Sequence, residues 1–321
     1  MNTPPFNILI SGAGQIGSRY LQGLAKCRLP LKIYVQDVFE EFLGRAEQRW
    51  NEVLGVEVAH GVSFHSSLES LPRRVDVAIV ATTADVRPQV VGEIANLAVV
   101  RFWVLEKVLA QNQAGLDDMI LHVRNGSGAW VNMPRRMMFW HRQIKSQLGL
   151  HRPLSMEVKG GAWGLACNAV HFLDLLSWWT GESLKSVSTA RLNPNWFESK
   201  RRGYWEVHGT LEAHFSEGSR ALLSSRQEEV PVSITASDSH QSWLINEAGG
   251  LATRSDGTEI RGRLSYQSEL SAPLVETIHA SADCDLPTLQ ESAAIHRIFI
   301  GSLQEHWMRA GHPTVIGVPI T

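Results

Sequence analysis

A chain of 321 residues is long for one hydrophobic core, so two domains are expected. A formal net charge of −2 gives no electrostatic footing for a nucleic-acid partner. Cys27, Cys167 and Cys284 are too few and scattered for a disulfide framework, no CxxC or HExxH spacing suggests a metal, and no apolar run approaches the roughly 20 residues of a membrane span.

The N-terminal Met1-Asn2-Thr3-Pro4-Pro5 lacks the basic region and apolar core of a secretory leader, so a cytoplasmic protein is expected. The first third then alternates strand and helix patterns. Asn7–Ile10 reads as a strand, and Gln15–Cys27 as a helix with Ile16, Tyr20, Leu21 and Leu24 on one face. Joining them is Gly12-Ala13-Gly14-Gln15-Ile16-Gly17. Glycines in this spacing let the backbone turn tightly against a pyrophosphate, and the helix they open offers its N–H groups to that charge. Lys32–Val35 is the second strand and ends in Gln36-Asp37. Asp37 lies twenty residues past Gly17, where a carboxylate meets adenosine ribose hydroxyls.

A helix is predicted over Phe39–Leu54 and a short strand at Val62–Phe64. The near-continuous apolar run Val75–Ala81 reads as a strand buried on both faces of a parallel sheet. Thr82 and Thr83 follow it, placed either to line the diphosphate–ribose region of a cofactor or to cap the strand end. Val86–Leu97 reads as a helix with Pro88 in its first turn, Phe102–Leu105 as a strand, Gln113–Val123 as a helix and Ala129–Val131 as a strand. This alternation predicts a doubly wound Rossmann sheet over residues 1–130.

Beyond residue 130 the pattern changes. A helix over Phe139–Leu148, a strand at Leu154–Lys159 and a helix at Asn168–Thr180 precede about a hundred residues of extended patterns broken by turn signals. Trp205–Phe215 and Ser219–Ser225 alternate in the β manner. A last helix begins at Thr288, where Thr288-x-x-Glu291 makes a capping box after Pro287. Residues 131–321 are therefore expected to form a second domain around an open mixed or antiparallel sheet.

Three further segments carry chemistry together. Phe102–Leu105 runs into Glu106-Lys107, Val131-Asn132-Met133-Pro134 runs into Arg135-Arg136, and Gly160-Gly161-Ala162-Trp163 leads into Cys167-Asn168-Ala169-Val170-His171-Phe172-Leu173-Asp174-Leu175-Leu176, closing with Trp179-Thr180-Gly181. In this order and at these distances the chain resembles the Gfo/Idh/MocA family of oxidoreductases over nearly its whole length. The resemblance implies a Rossmann domain holding NAD, with NADP as the other option, and a mixed-sheet platform for a sugar, nucleotide sugar or polyol. It implies a homodimer or homotetramer. The family Glu-Lys-Pro corresponds to Glu106-Lys107-Val108, its D-x-x-x-H helix to Cys167–His171, and its substrate-side arginine to Arg136.

Two positions depart from that pattern. A cis bond before a residue other than proline costs about 2.5–4 kcal/mol, so a trans bond or a shifted lysine is expected at Val108. Cys167 stands where the family has an aspartate and brings no charge at neutral pH; Asn168 shares the helical face of His171 and is a candidate to orient substrate or imidazole.

Alcohol oxidation needs a proton acceptor on the hydroxyl and a hydride path to the nicotinamide. His171 suits the first task, because a neutral imidazole titrates near working pH. Lys107, at the carboxyl edge of the sheet, suits stabilisation of the developing alkoxide. The expected cofactor contacts are Gly12, Ala13, Gly14, Gln15, Ile16, Asp37, Thr82, Thr83, Glu106 and Lys107; the expected substrate contacts are Arg136, Trp163, Cys167, Asn168 and His171. Asp37 favours NAD, since a carboxylate repels a 2′-phosphate. Asp174 reads as structural. The loop Asn193–Tyr204, with Trp196, Phe197, Lys200, Arg201, Arg202 and Tyr204, fits either a phosphorylated sugar or a solvated basic turn with packed aromatics. Transient cofactor use in glycoside cleavage or epimerisation, and a regulatory protein that binds NAD(P) without chemistry, are the alternative functions.

Overall fold

A computed structural model of the chain describes residues 4–53, 58–148, 153–313 and 317–321. The chain up to Ala110, with Ala114–Pro134 and Ser265–Gln290, makes one compact unit. Gln111–Gln113, Arg135–Leu264 and Glu291–Thr321 make the other. The single division expected after residue 130 is thus drawn four residues later, and the chain also re-enters the first unit.

The first unit runs β1 (Phe6–Ser11), α1 (Gln15–Leu24), β2 (Leu31–Gln36), α2 (Glu40–Asn51), β3 (Gly61–His65), β4 (Arg74–Val80), α3 (Arg87–Leu97), β5 (Val99–Leu105), α4 (Gln113–Val123) and β6 (Gly128–Val131). The six strands are parallel and ordered β3-β2-β1-β4-β5-β6, the doubly wound order of a dinucleotide fold. Ile8, Leu9, Ile10, Val77, Ala78, Ile79 and Val80 have no solvent exposure, as strands buried on both faces require. The order reverses between β1 and β4, so the turns after these strands lie where such sheets bind ligands. Leu54, the expected end of α2, lies outside the described residues, as do Met1–Thr3.

The second unit runs α5 (Phe139–Leu148), β7 (Ser155–Gly160), α6 (Leu165–Thr180), β8 (Leu184–Leu192), β9 (Phe197–Glu198), β10 (Trp205–Glu206), β11 (Gly209–Phe215), β12 (Arg220–Ser225), β13 (Ser233–Ser237), β14 (Ser242–Asn246), β15 (Leu251–Arg254) and β16 (Glu259–Arg261). Eight of these strands form one sheet, β16-β15-β14-β13-β7-β12-β11-β8, in which β7 and β12 are parallel and the other neighbours antiparallel. Met156, Val158, Ala221, Leu223, Ile234, Ala236, Trp243 and Ile245 point to the buried face at period two, and the alternate rows are mostly polar, with Leu222 and Leu244 the apolar members. The strand expected over Trp205–Phe215 is divided at Val207-His208: β10 pairs with β9, whereas β11, which opens on Gly209 at φ +120°, joins the large sheet.

Two more helices complete the chain, α7 (Gln267–Ser281) and α8 (Leu289–Arg309). The extended pattern expected after residue 180 is wrong for α7. Pro273 lies inside it, yet Leu270, Leu274, Val275 and Ile278 are buried at helical spacing, and Glu269 Oε2 accepts the Tyr266 N–H at 2.8 Å at its start. The helix packs closely on α1: a Cβ on Gly23 would lie 2.4 Å from Ser268 O and 2.8 Å from Ser271 Cβ, so only glycine permits this approach.

Candidate active site

The glycine loop is shaped by steric necessity. Gly12 takes φ +92°, and a Cβ there would meet Thr82 N at 2.7 Å. A Cβ on Gly17 would reach Gly12 O at 1.7 Å, whereas one on Gly14 meets nothing within 4 Å. The turn is therefore tight at its two ends and open at its middle. Gly14 caps α1 without a side-chain hydrogen bond, and the first turn of α1 has no acidic residue. Donors at that helix start are thus left to an anion, and Gly14 provides the open approach. Ile16, expected on the apolar face of α1, is instead 41% exposed, while Tyr20, Leu21 and Leu24 are fully buried.

Asp37 is buried at the end of β2. Its Oδ2 accepts the Ala13 N–H at 2.7 Å and its Oδ1 the Phe39 N–H at 3.0 Å. The carboxylate therefore fixes the glycine loop and still has lone pairs to accept further hydrogen bonds. Thr82 and Thr83 follow β4. Thr82 Oγ1 is buried with no hydrogen-bond partner among the described residues, the kind of polar atom that a ligand satisfies.

Glu106 and Lys107 follow β5. Glu106 Oε1 accepts from Tyr20 Oη at 2.9 Å and from Asn132 Nδ2 at 2.6 Å. Lys107 is half-buried. The Lys107–Val108 peptide is cis, against the expected trans bond. That expectation weighed the dipeptide alone, but Val108 is fully buried and its carbonyl is taken by Arg87. Arg87, itself 1% exposed, donates to the carbonyls of Thr82, Val108 and Leu109 and so ties the turn after β4 to the turn after β5. Neither Tyr20 nor Arg87 carries a local motif; both look like ordinary helix residues until the sheet is assembled.

In the second unit, α6 is apolar and buried except for a stripe on which Cys167, Asn168 and His171 are half-buried, spaced three and four residues apart. Glu206 holds the start of this helix: its Oε2 accepts the Ala166 N–H at 2.8 Å and its Oε1 the Cys167 N–H at 3.1 Å. A carboxylate at this end is favoured by the helix dipole. The Cys167 thiol donates to Thr321 O, and Asn168 Nδ2 donates to Trp163 O at 2.8 Å. Trp163 gives its indole N–H to Ser224 O at 2.9 Å and packs edge-on against Phe172. Its half-exposed ring remains as a stacking surface.

Arg136 is engaged by an acid of the same unit. Its Nε and Nη2 reach Asp174 Oδ2 and Oδ1 at 3.0 and 2.7 Å, and the residue is 8% exposed. Burial pushes the Asp174 carboxyl up while this guanidinium pulls it back. The bidentate pair binds the segment after β6 to the middle of α6, so Arg136 holds the helix, and its Nη1 lies 3.7 Å from Glu291 Oε1. Its neighbour Arg135 makes a second such pair with Glu247, at 2.7 Å through both nitrogens, and lies over the Phe172 ring. His141 Nε2 completes this cluster 2.8 Å from Glu247 Oε1.

The aromatics of the loop after β8 pack within the chain. Trp196 is 7% exposed, donates to His306 Nδ1 at 3.0 Å and meets Trp307 edge-on; Trp205 also meets Trp307. Lys200, Arg201 and Arg202 stand exposed on the turn from β9 to β10.

No protein-family model matches the chain, and no curated relative matches it. Solved structures do. A scyllo-inositol dehydrogenase from Lactobacillus casei, solved with NAD(H) and scyllo-inositol, aligns with a TM-score of 0.68 at 13% identity, over 95% of this chain and 98% of that one. A UDP-N-acetylglucosamine 3-dehydrogenase from Acidithiobacillus ferrooxidans aligns at 0.66 with 16% identity, over 94% and 97%. An oxidoreductase from Agrobacterium radiobacter, solved with NAD+, L-tartaric acid and magnesium, aligns at 0.71 with 12% identity, over 94% and 96%. At such identities the likeness is one of fold: a parallel six-stranded unit followed by a mixed-sheet unit, the architecture that the resemblance to Gfo/Idh/MocA oxidoreductases implied.

Proposed function

We propose that this chain is an NAD-dependent oxidoreductase that moves a hydride to or from a hydroxyl- or keto-bearing carbon of a sugar, nucleotide sugar or polyol. The observation that carries the reading is the glycine loop: tight at Gly12 and Gly17, open at Gly14, braced by Asp37 and facing the unpartnered Thr82 hydroxyl. These features fit a dinucleotide diphosphate and its flanking ribose. The solved structures that share the fold are named as dehydrogenases of inositols and of a nucleotide sugar, which supports the substrate class.

Bound nicotinamide supplies the hydride acceptor or donor. Every other task falls to side chains and backbone of this chain. The N–H groups at the start of α1 hold the diphosphate, and Asp37 accepts from the adenosine ribose, which favours NAD over NADP. Gln15, Ile16, Thr82 and Thr83 line the same stretch. Glu106 accepts from the second ribose. Lys107 donates a hydrogen bond to the reacting oxygen, and His171 takes its proton during oxidation or returns it during reduction. Trp163, Cys167 and Asn168 receive the substrate on the exposed stripe of α6 and the adjoining loop. A cytoplasmic homodimer or homotetramer goes with this reading, and light scattering measures the assembly.

The test is a titration of the purified protein with NADH and NADPH by nicotinamide fluorescence, followed by turnover against inositols, keto-sugars and nucleotide sugars. NADH binds more tightly than NADPH, and at least one substrate of this class is oxidised or reduced. A protein that binds neither coenzyme overturns the reading.

A further inference from the structure

Residues 317–321 belong to no helix or strand, yet three parts of the second unit hold them. Gln111 takes the segment twice: its carbonyl accepts the Val318 N–H at 3.1 Å, and its Nε2 donates to Ile320 O at 3.0 Å. Gly317 stands at φ +104°, where a Cβ would lie 2.4 Å from Gln111 O, so this approach needs glycine. Pro319 O accepts the Trp205 N–H at 2.8 Å, and Thr321 O accepts the Cys167 thiol. Val318 and Ile320 are buried, whereas Pro319 and Thr321 are half-buried. Strand β10 brackets the arrangement. Trp205 holds the segment, and the next residue, Glu206, accepts the N–H groups of Ala166 and Cys167 at the start of α6. Residue 321 is thereby fixed beside Cys167, on a helix whose half-buried stripe runs on through Asn168 to His171.

Resting on the oxidoreductase reading, with that stripe as its substrate face, we infer that residues 317–321 form a wall of the substrate site. Thr321 is then a specificity-determining residue that limits the size of the sugar or polyol admitted beside Cys167. A wall made this way is stiff. Hydrogen bonds from Gln111, Trp205 and Cys167 fix its backbone, and the burial of Val318 and Ile320 fixes its depth. A stiff wall discriminates by steric exclusion, because a bulky ligand meets backbone that cannot withdraw without breaking those bonds. The partners that hold it all belong to the second unit, whereas the glycine loop belongs to the first, so altering the wall changes the choice of substrate and spares the coenzyme.

The experiment compares the full chain with Thr321→Gly, Thr321→Trp and Gly317→Ala, each first checked for folding by circular dichroism and for NADH binding by fluorescence. Two readouts are taken. One is kcat/KM across probes of increasing size, from myo-inositol through keto-sugars to UDP-N-acetylglucosamine. The other is the rate at which iodoacetamide alkylates Cys167, followed by peptide mass spectrometry. Thr321→Gly is expected to shift the ratio of kcat/KM toward the bulkier probes by about 3- to 10-fold, and Thr321→Trp to shift it the other way by about tenfold or more. NADH affinity stays within about twofold in both. Gly317→Ala displaces the wall, so Cys167 is alkylated faster than in the unmodified protein. The two Thr321 variants keep the inference testable if Gly317→Ala folds poorly. An unchanged ranking of probes in the folded Thr321 variants, or equal alkylation of Cys167 in folded Gly317→Ala, overturns the inference and leaves the oxidoreductase reading intact. Failure of the unmodified protein to bind NADH, or to turn over any of the probes, overturns both.

Discussion

The glycine-loop end of the first unit and the exposed stripe of α6 in the second are built on different principles. The first is largely a backbone construction: Gly12 and Gly17 are glycine because nothing else fits, and Asp37 grips main-chain N–H groups. The second is a side-chain construction on a rigid helix. Its shape depends on partners drawn from far along the chain, Glu206 at the helix start, Thr321 against Cys167, and Arg136 against Asp174. A backbone-built site fails all at once when a residue does not fit. A side-chain-built site can lose one function at a time.

The largest effect comes from the backbone side. Gly17→Ala places a Cβ 1.7 Å from Gly12 O, an overlap no side-chain movement relieves. Coenzyme binding should be lost, at a cost in stability of about 3 kcal/mol or more, read by fluorescence titration and chemical denaturation. Gly14→Ala is the control. Its φ is −60° and nothing lies within 4 Å, so the fold should be within about 0.5 kcal/mol of the unmodified protein. Equal damage from both would mean that the tight and open positions do not differ.

His171→Ala separates functions on the other side. Removing a general acid–base group costs roughly 10²- to 10⁴-fold in turnover, while NADH affinity should stay within about twofold. Retained turnover on the true substrate, or loss of NADH binding, would break the division of labour between the two regions.

Acid provides a smaller contrast within the second unit. Burial holds the His141 imidazole below its ordinary 6.5, so the unfolded chain takes up a proton that the folded one refuses, and stability falls as pH drops through about 6.5. The Arg135 guanidinium and the His141 hydrogen bond hold the Glu247 carboxyl well below its ordinary 4.5 despite its burial, so its contribution is present above that pH and is lost as pH falls further. Both groups pull in the same direction. Between about pH 7.5 and about pH 5.5 the unmodified protein should lose stability that His141→Gln does not lose, with a ceiling of about 1.4 kcal/mol for one histidine, measured by denaturant unfolding at each pH. Parallel pH curves would sink this account.

The same contrast explains what could be read from residues alone. Gly12, Gly14, Gly17 and Asp37 are legible because steric limits leave a local trace at fixed spacing. The central strands β1 and β4 are legible because burial on both faces forces apolar runs such as Ile8–Ile10 and Val77–Val80. Tyr20, Arg87 and Glu206 leave no such trace, since each matters only through a partner between 5 and 86 residues away. Helix α7 left a local trace that the internal Pro273 obscured: Leu270, Leu274 and Ile278 recur every fourth residue behind the Tyr266–Glu269 capping box. Arg136 was legible as an arginine in the right place, yet its partner Asp174 lies 38 residues on and decides what the guanidinium does.

Position 167 gives the finest comparison. The resemblance invites Cys167→Asp as a repair, since the related helix carries an acid there. The structure argues otherwise, because the thiol donates to Thr321 O while an ionised aspartate has no proton to donate. Two oxygen acceptors would face each other, and the residue would move to avoid the contact. Glu206 already supplies the negative charge that the start of α6 favours, so a second carboxylate adds little there. Cys167→Ser keeps a donor of similar size and should leave KM for the sugar within about twofold, with NADH affinity unchanged. Cys167→Asp should raise that KM by about three- to tenfold, the loss of one hydrogen bond, again without touching NADH. A faster Cys167→Asp enzyme would show that the stripe on α6 still wants its acid at position 167, and that the contact with Thr321 is incidental to the site.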